Sequence, residues 1–389
     1  MTAYQTKHRI AASSLFFIQG FIVTSWASRL PDIQSNLTLS DGMLGLLLLA
    51  PPAGQLAAMS LSGHLVRRFG SCRIARIAAL LLPCWLPVLG MVSTSQALAV
   101  LLFILGMATN LSNIAANTQG VSVEQIYGKS IMSFFHGIWS LGGASAILLS
   151  TLCVFLGVSP LGNFLCATAL SVLIYLPNFR NLLRQDYHVQ REEQDKVSVL
   201  NLLKDSYLWI LGLISLGCMG CEGVMNNWTS IYFQKYIIDK GQFVRVGFLA
   251  YMVAITLCRF TADLFVRKWG AKSLIGSAGC LIMAGIVLMT SSTCLVLATL
   301  GCALVGLGTS AVVPVCFGLA GKNGHVPVAT AITMVATISF LGFLLMPAVV
   351  GGVSEWFGLR IALVGAGVFS FLLIQLIHFT NGKQKEKQQ

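Results

Sequence analysis

The sequence predicts an all-α membrane protein with twelve transmembrane helices in two six-helix, pseudosymmetric bundles. Of the 389 residues, 56% are hydrophobic and 10% are charged, whereas soluble domains carry roughly 25% charged residues. Apolar runs recur along the whole chain. Two similar basic turns, LVRRFGSCR at 65–73 and FVRKWGAKS at 265–273, interrupt these runs far apart in the chain. A chain this apolar cannot hide its surface from water, so it belongs in lipid.

The spans follow from the apolar runs, because about twenty apolar residues cross a bilayer as a helix. The first run follows KHR and, since many runs come after it, is interpreted as an uncleaved span rather than a signal peptide. The first six spans are predicted at 10–30, 43–65, 73–92, 97–120, 130–156 and 160–179. The second six are predicted at 207–234, 245–266, 272–291, 294–320, 327–352 and 359–379. We therefore expect an N-terminal bundle over 1–180, a cytoplasmic linker over 181–205, and a C-terminal bundle with a short basic tail over 206–389.

Lysine and arginine residues indicate the orientation, since they favour the cytoplasmic side of a membrane. With both termini in the cytoplasm, Arg259 lies within a span, and most of the other 24 basic residues fall on the inner side. The outer side holds Arg29, Lys235, Lys240, Arg245 and Arg360. The outer segment 234–245 is a local exception that the sequence does not explain. The pattern predicts an integral protein of the bacterial inner membrane with cytoplasmic termini.

Charge and cysteine content narrow the function classes. The net charge of +12 lies in short segments between apolar runs, so it indicates topology rather than nucleic-acid binding. The eleven cysteines include one CxxC pair, Cys218 and Cys221, inside an apolar run; the cysteines are interpreted as small buried hydrophobes. No nucleotide-binding loop, catalytic arrangement or potassium-filter sequence stands out. We expect no enzyme activity, catalytic residue, metal or cofactor. The expected partners are the lipid bilayer, a small-molecule substrate and protons, and one chain with two halves is expected to act as a monomer.

The two basic turns occupy matching places in the two halves, after spans 2 and 8. Internal repeats of this kind are how many secondary transporters are built, with the substrate site near mid-membrane between the repeats. The pattern therefore favours a duplicated transporter bundle over two unrelated positive-inside signals.

These turns resemble those of the major facilitator superfamily, whose members carry a turn of the form Gly-x-x-x-Asp-Arg-x-Gly-Arg-Lys after spans 2 and 8. The matching residues are Gly63, Arg68 and Gly70 in the first copy and Arg259, Lys268, Gly270 and Lys272 in the second. Both copies depart at the acidic position, which is Arg67 in one and Arg267 in the other. In the family that aspartate helps to lock the inner gate. Arg259 and Asp263, four residues apart on one helix face, are expected to take part of its role.

Finer matches resemble the fucose permease branch and, within it, the YbjJ-type inner-membrane proteins. The similar stretches are SWASRLPDI at 25–33, AANTQGVSVE at 115–124, FFHGIWSLG at 134–142, CEGVMNNW at 221–228 and CRFTADLF at 258–265. This resemblance implies sugar import by proton symport and does not specify a substrate.

Glu222 is the clearest candidate for a coupling group. It lies near the middle of span 7, where desolvation favours the neutral form of a carboxyl, and acids inside membranes are functional by default. The alternative is a structural role, in which Glu222 pairs permanently with a cation or caps a helix break. Asn226, Asn227 and Trp228 follow one turn on, where amides bind hydroxyl groups and an indole stacks on a sugar face.

Spans 1, 4 and 5 carry the remaining site candidates. Asn110, Asn113 and Asn117 recur at helical spacing, so they share a face that either lines a cavity or joins helices. His136, in span 5, is a second candidate for proton transfer, or else a packing residue. The predicted substrate-binding residues are Gln19, Trp26, Asn110, Asn113, Asn117, Gln119, Trp139, Asn226, Asn227 and Trp228. The predicted gating residues are Arg29, Asp32, Arg67, Arg68, Glu124, Arg259, Asp263, Arg267 and Lys268.

We therefore expect a secondary transporter of a small, sugar-like solute that works by alternating access and is coupled to protons. Two alternatives stay open at this point: a proton-driven exporter of amphipathic drug-like compounds, and a membrane receptor that binds a ligand without moving it.

Overall fold

The computed structural model describes residues 3–128, 131–186, 205–238, 241–322 and 328–382; most of these residues are helical, and none of them lies in a strand. The helices of the first half are α1 (Ala3–Ser28), α2 (Leu30–Asn36), α3 (Asp41–Leu47), α4 (Ala50–Phe69), α5 (Ser71–Gly90), α6 (Ser95–Tyr127), α7 (Met132–Phe155) and α8 (Pro160–Tyr175). The helices of the second half are α9 (Ser206–Tyr236), α10 (Val246–Trp269), α11 (Ala271–Ser291), α12 (Leu295–Gly321), α13 (Val328–Phe357) and α14 (Leu359–Gln375). Short 3₁₀ segments occupy Phe179–Asn181, Gln242–Arg245 and Leu376–Gly382. The predicted helical class is confirmed for this part of the chain.

The predicted spans coincide with these helices. Among the described residues, ten helices are long and apolar enough to cross a membrane, if α3 and α4 are taken together. α8 is a shorter apolar helix of 16 residues, and α10 covers the predicted eighth span. Most of the predicted linker, 187–204, lies outside the described residues, as does the tail from 383.

The second predicted span differs from the expectation of one continuous helix. α3 ends at Leu47 and α4 begins at Ala50, so the span consists of two helices. Pro51 and Pro52 lie in the first turn of α4, where a missing backbone N–H removes no helical hydrogen bond. The prolines therefore favour a new helix start here, and α3 and α4 together cover the span predicted at 43–65.

The first compact unit contains α1 to α8 together with residues 241–245. Its mostly buried helix α1 packs closely against α7. A Cβ added at Gly20 would lie 2.0 Å from the carbonyl oxygen of Trp139, and one added at Gly142 would lie 2.2 Å from that of Phe17. The two backbones touch, so only glycine fits at either position.

The second compact unit contains α9 to α14 and repeats this contact. α9 is its most buried long helix and packs against α13. A Cβ added at Gly342 of α13 would lie 2.2 Å from the carbonyl oxygen of Leu216. Gly142 and Gly342 are separated by the same sequence offset as the two basic turns. Within each unit, a glycine of the fifth span thus lies against the backbone of the first span, which supports an internal repeat.

Gly142→Ala is expected to lower the melting temperature of the purified protein, because the added methyl group overpacks the contact between α1 and α7. Overpacking costs about 1–3 kcal/mol. Gly318→Ala in α12 is the matched control, since a Cβ there meets no atom within 4 Å and alanine favours the helix over glycine. Thermal unfolding in detergent measures both variants. Equal melting temperatures for the two variants would contradict the proposed close contact.

Candidate functional site

Glu222 and Arg259 form an ion pair inside the second unit. Nη2 of Arg259 lies 3.2 Å from Oε1 and 3.4 Å from Oε2 of Glu222. The Glu222 side chain is 11% exposed and that of Arg259 is 24% exposed. Burial of an unpaired charge is very unfavourable, so the pair explains how α9 and α10 accommodate charged residues within an apolar bundle.

Neutral groups surround this pair. Cys218 and Cys221 are buried on the same helix as Glu222. Tyr251 of α10 is fully buried, and its hydroxyl lies 3.5 Å from Oγ1 of Thr309. The neighbours named here are all uncharged. Among the side chains that the structure describes around this contact, the charges are those of Glu222 and Arg259. The side chain of Asp263, predicted to pair with Arg259, lies outside the described set.

The three residues that follow Glu222 at the next turn differ in accessibility. Asn226 and Asn227 are partly exposed, and Nδ2 of Asn227 donates to the carbonyl oxygen of Gly223 at 2.8 Å. Trp228 is completely buried, and its indole N–H donates to the carbonyl oxygen of Pro347 at 2.9 Å. Trp228 therefore packs α9 against α13, which favours a structural role for it over contact with a solute.

The predicted amide stripe of α6 lies within the first unit and is accessible over part of its length. Asn113 is exposed, Asn117 is partly exposed, and Nδ2 of Asn117 donates to Oδ1 of Asn113. Oδ1 of Asn110 is buried and accepts no hydrogen bond from the described part of the chain. Buried polar atoms are normally hydrogen-bonded, so Asn110 is a candidate contact for a solute hydroxyl group.

Residues of α1 and α7 lie beside this stripe. His136 is exposed and makes an edge contact with Phe16, with 5.5 Å between ring centroids. Trp139 is partly exposed. Gln19 is buried, with Nε2 3.5 Å from the carbonyl oxygen of Thr109, and Trp26 is only 4% exposed. His136 and Trp139 are thus the accessible members of this predicted group.

Gln119 has a role that the sequence did not indicate. It is fully buried, and its Nε2 donates to Oγ of Ser71 at 2.6 Å and to the carbonyl oxygen of Leu183 at 2.9 Å. Its Oε1 accepts from the backbone N–H of Leu183 at 2.9 Å. The amide therefore joins α6 to the start of α5 and to the segment after α8.

Asp186 completes this junction beside the first basic turn. Its Oδ2 accepts from the backbone N–H of Ser71 at 2.7 Å, and its Oδ1 accepts from the Ser71 hydroxyl. Ser71 begins α5 directly after Gly70, whose φ is 79°. A carboxylate is favourable at a helix N-terminus because it satisfies backbone N–H groups and the helix dipole. An acid from a distant segment thus lies close to the first basic turn, in which Arg67 occupies the position of the family's aspartate.

The other predicted gating residues of the turns are at the surface. Arg67, Arg68, Arg267 and Lys268 are exposed.

Glu124, another predicted gating residue, accepts hydrogen bonds through Oε2 from the backbone N–H groups of Ile131 and Met132, at 2.6 and 2.9 Å. Glu124 therefore holds the start of α7 near the end of α6.

Asp186→Ala is expected to destabilise the protein by about 1–2 kcal/mol, because the N-terminus of α5 loses its carboxylate cap. Asp186→Asn keeps an oxygen that accepts the Ser71 N–H and is expected to lose less. Melting temperatures in detergent rank the wild type above the Asn variant and the Asn variant above the Ala variant. An unchanged melting temperature in the Ala variant would contradict this role.

A cluster of charged residues with two buried arginines lies at the C-terminal end of α1, within the first unit. Arg29 is 2% exposed; its Nε donates to Oδ1 of Asn163 at 2.8 Å, and its Nη1 lies 3.4 Å from Oδ1 of Asp32. Arg245 is also 2% exposed; its Nε donates to the carbonyl oxygen of Ser28 at 2.7 Å, and its Nη2 pairs with Oδ2 of Asp32. Burial lowers the pKa of Arg245 to about 10, although Asp32 acts in the opposite direction. Both arginines therefore contact the same carboxylate, that of Asp32.

Arg245 was missed as a functional residue by the sequence analysis, although the predicted Arg29 and Asp32 belong to the same cluster. Its only signal was that basic residues in the outer segment 234–245 broke the charge pattern. The pairing with Asp32 explains why a basic residue occurs at position 245 on the predicted outer side. Among the described residues, no group of three or more side chains is arranged to hold a metal ion.

Comparisons with known proteins extend this picture. The family model for the Major Facilitator Superfamily matches residues 12–336. An uncharacterized MFS-type transporter of Yersinia pestis is 29% identical over 357 residues, covering 92% of this chain and 91% of that protein. The membrane protein MosC of Rhizobium meliloti is 27% identical over 354 residues, covering 91% of this chain and 85% of that protein.

Solved structures share the fold. The nucleoside transporter NupG aligns with a TM-score of 0.76 at 16% identity, covering 97% of this chain and 99% of that chain. A bacterial homologue of the human lysosomal transporter Spinster, in an inward-facing and occupied conformation, aligns with a TM-score of 0.73 at 13% identity and covers 97% of each chain. At these identities the likeness concerns the fold alone.

Proposed function

The chain belongs to the major facilitator superfamily of membrane transporters, and we propose that it moves a small, sugar-like solute across the bacterial inner membrane with proton coupling. Alternating access, in which the solute site opens to one side at a time, is the proposed mechanism. The resemblance to the fucose permease branch and its YbjJ-type members supports a sugar-like solute. The distribution of lysine and arginine supports cytoplasmic termini.

The Glu222–Arg259 pair is the observation that carries the proposal. Glu222 is a mostly buried acid in a membrane helix, and its charge is balanced by Arg259 at 3.2 Å. Protonation of Glu222 weakens this pair, because a neutral carboxyl no longer attracts the guanidinium as a carboxylate does. Proton binding is thereby linked to the contact between α9 and α10, which a coupling group requires.

Accessible polar groups are proposed to recognise the solute. Amides offer both donors and acceptors to hydroxyl groups, and an indole offers a flat apolar surface. The proposed recognition residues are Asn110, Asn113, Asn117, His136, Trp139, Asn226 and Asn227. Gln19, Trp26, Gln119 and Trp228 are proposed to support the helices instead, because they are buried.

The charged ends of the first unit are proposed to act in gating. Asp32 with Arg29 and Arg245 would close the outer end, and Asp186 on the start of α5 would hold the inner end near the basic turn at Arg67 and Arg68. Breaking buried ion pairs is unfavourable, so such clusters favour one conformation until a compensating contact forms.

A ligand screen by thermal shift tests this function on the purified protein in detergent at pH 5.5 and 7.5. Ligands that bind the folded state raise its melting temperature. We expect stabilisation by sugars and sugar derivatives that depends on pH. Stabilisation by amphipathic cations alone would instead favour a drug exporter. Binding of a sugar without flux into liposomes would favour a receptor.

A further inference from the structure

We propose that the transported solute is a polyhydroxy carboxylate, such as a sugar acid, whose carboxylate binds Arg259 when Glu222 is protonated. This inference rests on the proposed transport function and adds the chemical class of the solute. It follows from the accessibility of the two charged groups, the geometry of their contact and the charge balance of the second unit.

Arg259 is the more accessible partner of the pair, with 24% of its side chain exposed against 11% for Glu222. Both contacts to Glu222 come from one nitrogen, Nη2, at 3.2 and 3.4 Å. A guanidinium binds a carboxylate most strongly through two parallel N–H···O bonds from two nitrogens. The pair with Glu222 does not have this geometry, so an incoming carboxylate competes with a contact that is not optimal.

Charge balance favours an anion that arrives together with a proton. With Glu222 ionised, the pair is neutral overall. Protonation of Glu222 removes one negative charge from beside the guanidinium, whatever else contacts it. A solute carboxylate places a negative charge beside the guanidinium again, so the protein binds one proton and one anion together. A cationic solute would require an ionised Glu222 and would compete with the proton.

The elements around the pair carry further titratable groups. Cys218 and Cys221 on α9 and Tyr251 on α10 are buried, neutral groups. α12 contains no charged residue. On α10, Cys258 is next to Arg259 and Asp263 is one turn from it. The charged or titratable residues near the ends of these and neighbouring elements include Lys235, Arg267, Lys268, Lys272, Lys322, Glu355, Arg360 and His378.

Asn226 offers a contact for the hydroxyl groups of such a solute. It lies one helical turn from Glu222 on α9 and is partly exposed. A side-chain amide donates to and accepts from hydroxyl groups. Arg259 would thus bind the carboxylate of the solute, and Asn226 would bind its hydroxyl groups.

Matched pairs of probes test the inference on the purified protein in detergent. D-gluconate is compared with D-glucitol, and D-glucuronate with D-glucose, at pH 5.5 and 7.5. We expect the two carboxylates to raise the melting temperature, with affinity about tenfold higher at pH 5.5, and the neutral partners to have little effect.

Variants separate the roles of the two partners. Glu222→Gln is expected to bind the carboxylates equally at both pH values, because its side chain no longer titrates. Arg259→Gln is expected to lose about 10- to 100-fold in affinity, and Arg259→Lys less. Lys322→Ala, which removes an exposed charge of the same unit, should behave as wild type. If the Glu222 or Arg259 variants fail to fold, the pH comparison on the wild type decides alone.

The outcomes distinguish this inference from the transport proposal. Equal stabilisation by neutral sugars and by their acids would overturn the inference and leave the proposed function in place. Stabilisation by amphipathic cations alone would contradict both. If no carboxylate stabilises the wild type at pH 5.5 or the Glu222→Gln variant at either pH, the inference is also wrong.

Discussion

Asp32→Asn is expected to destabilise the protein by about 1.5–3 kcal/mol, the range for hydrogen bonds to charged groups, because the Asp32 side chain is 30% exposed and water compensates part of the loss. The single carboxylate of Asp32 contacts two guanidinium groups, those of Arg29 and Arg245, which are each 2% exposed. Without it, two like charges stay buried near each other. Their remaining partners are neutral oxygen atoms of Asn163, Ser28, Val158 and Ser159. Thermal unfolding in detergent measures the loss.

A double-mutant cycle shows whether the destabilisation comes from this pair. Arg245→Leu removes one of the two cations, so Asp32→Asn should cost less in that background than in the wild type. Glu355→Gln, which neutralises an exposed acid, is the matched control and should change the stability by less than about 0.5 kcal/mol. If the Asp32→Asn variant has the same melting temperature as the Glu355→Gln control, the cluster does not stabilise the first unit.

Hydropathy predicted the helices well because the bilayer requires long apolar segments, and those segments dominate this sequence. The helix ends were less predictable, since local groups determine them. α6 continues to Tyr127, beyond the predicted end at 120, and stops where Gly128 adopts a left-handed conformation with φ of 68°. The break between α3 and α4 depended on two prolines that the hydropathy pattern overlooks.

The candidate site was predicted in part. Glu222 stood out because a charged residue inside an apolar run is rare and needs a reason. Its pairing with Arg259 depends on the packing of α9 against α10, which composition does not specify. The same limit applies more strongly to Asp186 and Arg245. Their partners Ser71 and Asp32 lie 115 and 213 residues away, and no local pattern connects them.

Glu222→Gln is expected to abolish proton-driven accumulation of the solute while the protein still folds. Glutamine keeps an oxygen that accepts from Arg259, and Arg259 is 24% exposed, so water compensates part of the lost charge. A permanently neutral side chain cannot take up or release a proton, so a pH gradient no longer drives movement. Solute exchange between equal concentrations on the two sides of a liposome membrane is expected to continue, because it needs no net proton transfer.

Proteoliposomes with an imposed pH gradient make the measurement, using a ligand found in the thermal-shift screen. The variant should show accumulation at the level of empty liposomes, whereas Glu355→Gln should accumulate the solute as the wild type does. An Asp at position 222 retains a titratable carboxyl on a shorter side chain, so Glu222→Asp should recover part of the gradient-driven uptake. If uptake by Glu222→Gln depends on pH as in the wild type, then Glu222 does not couple protons, and its pair with Arg259 is structural, because a neutral amide has no proton to exchange in this pH range.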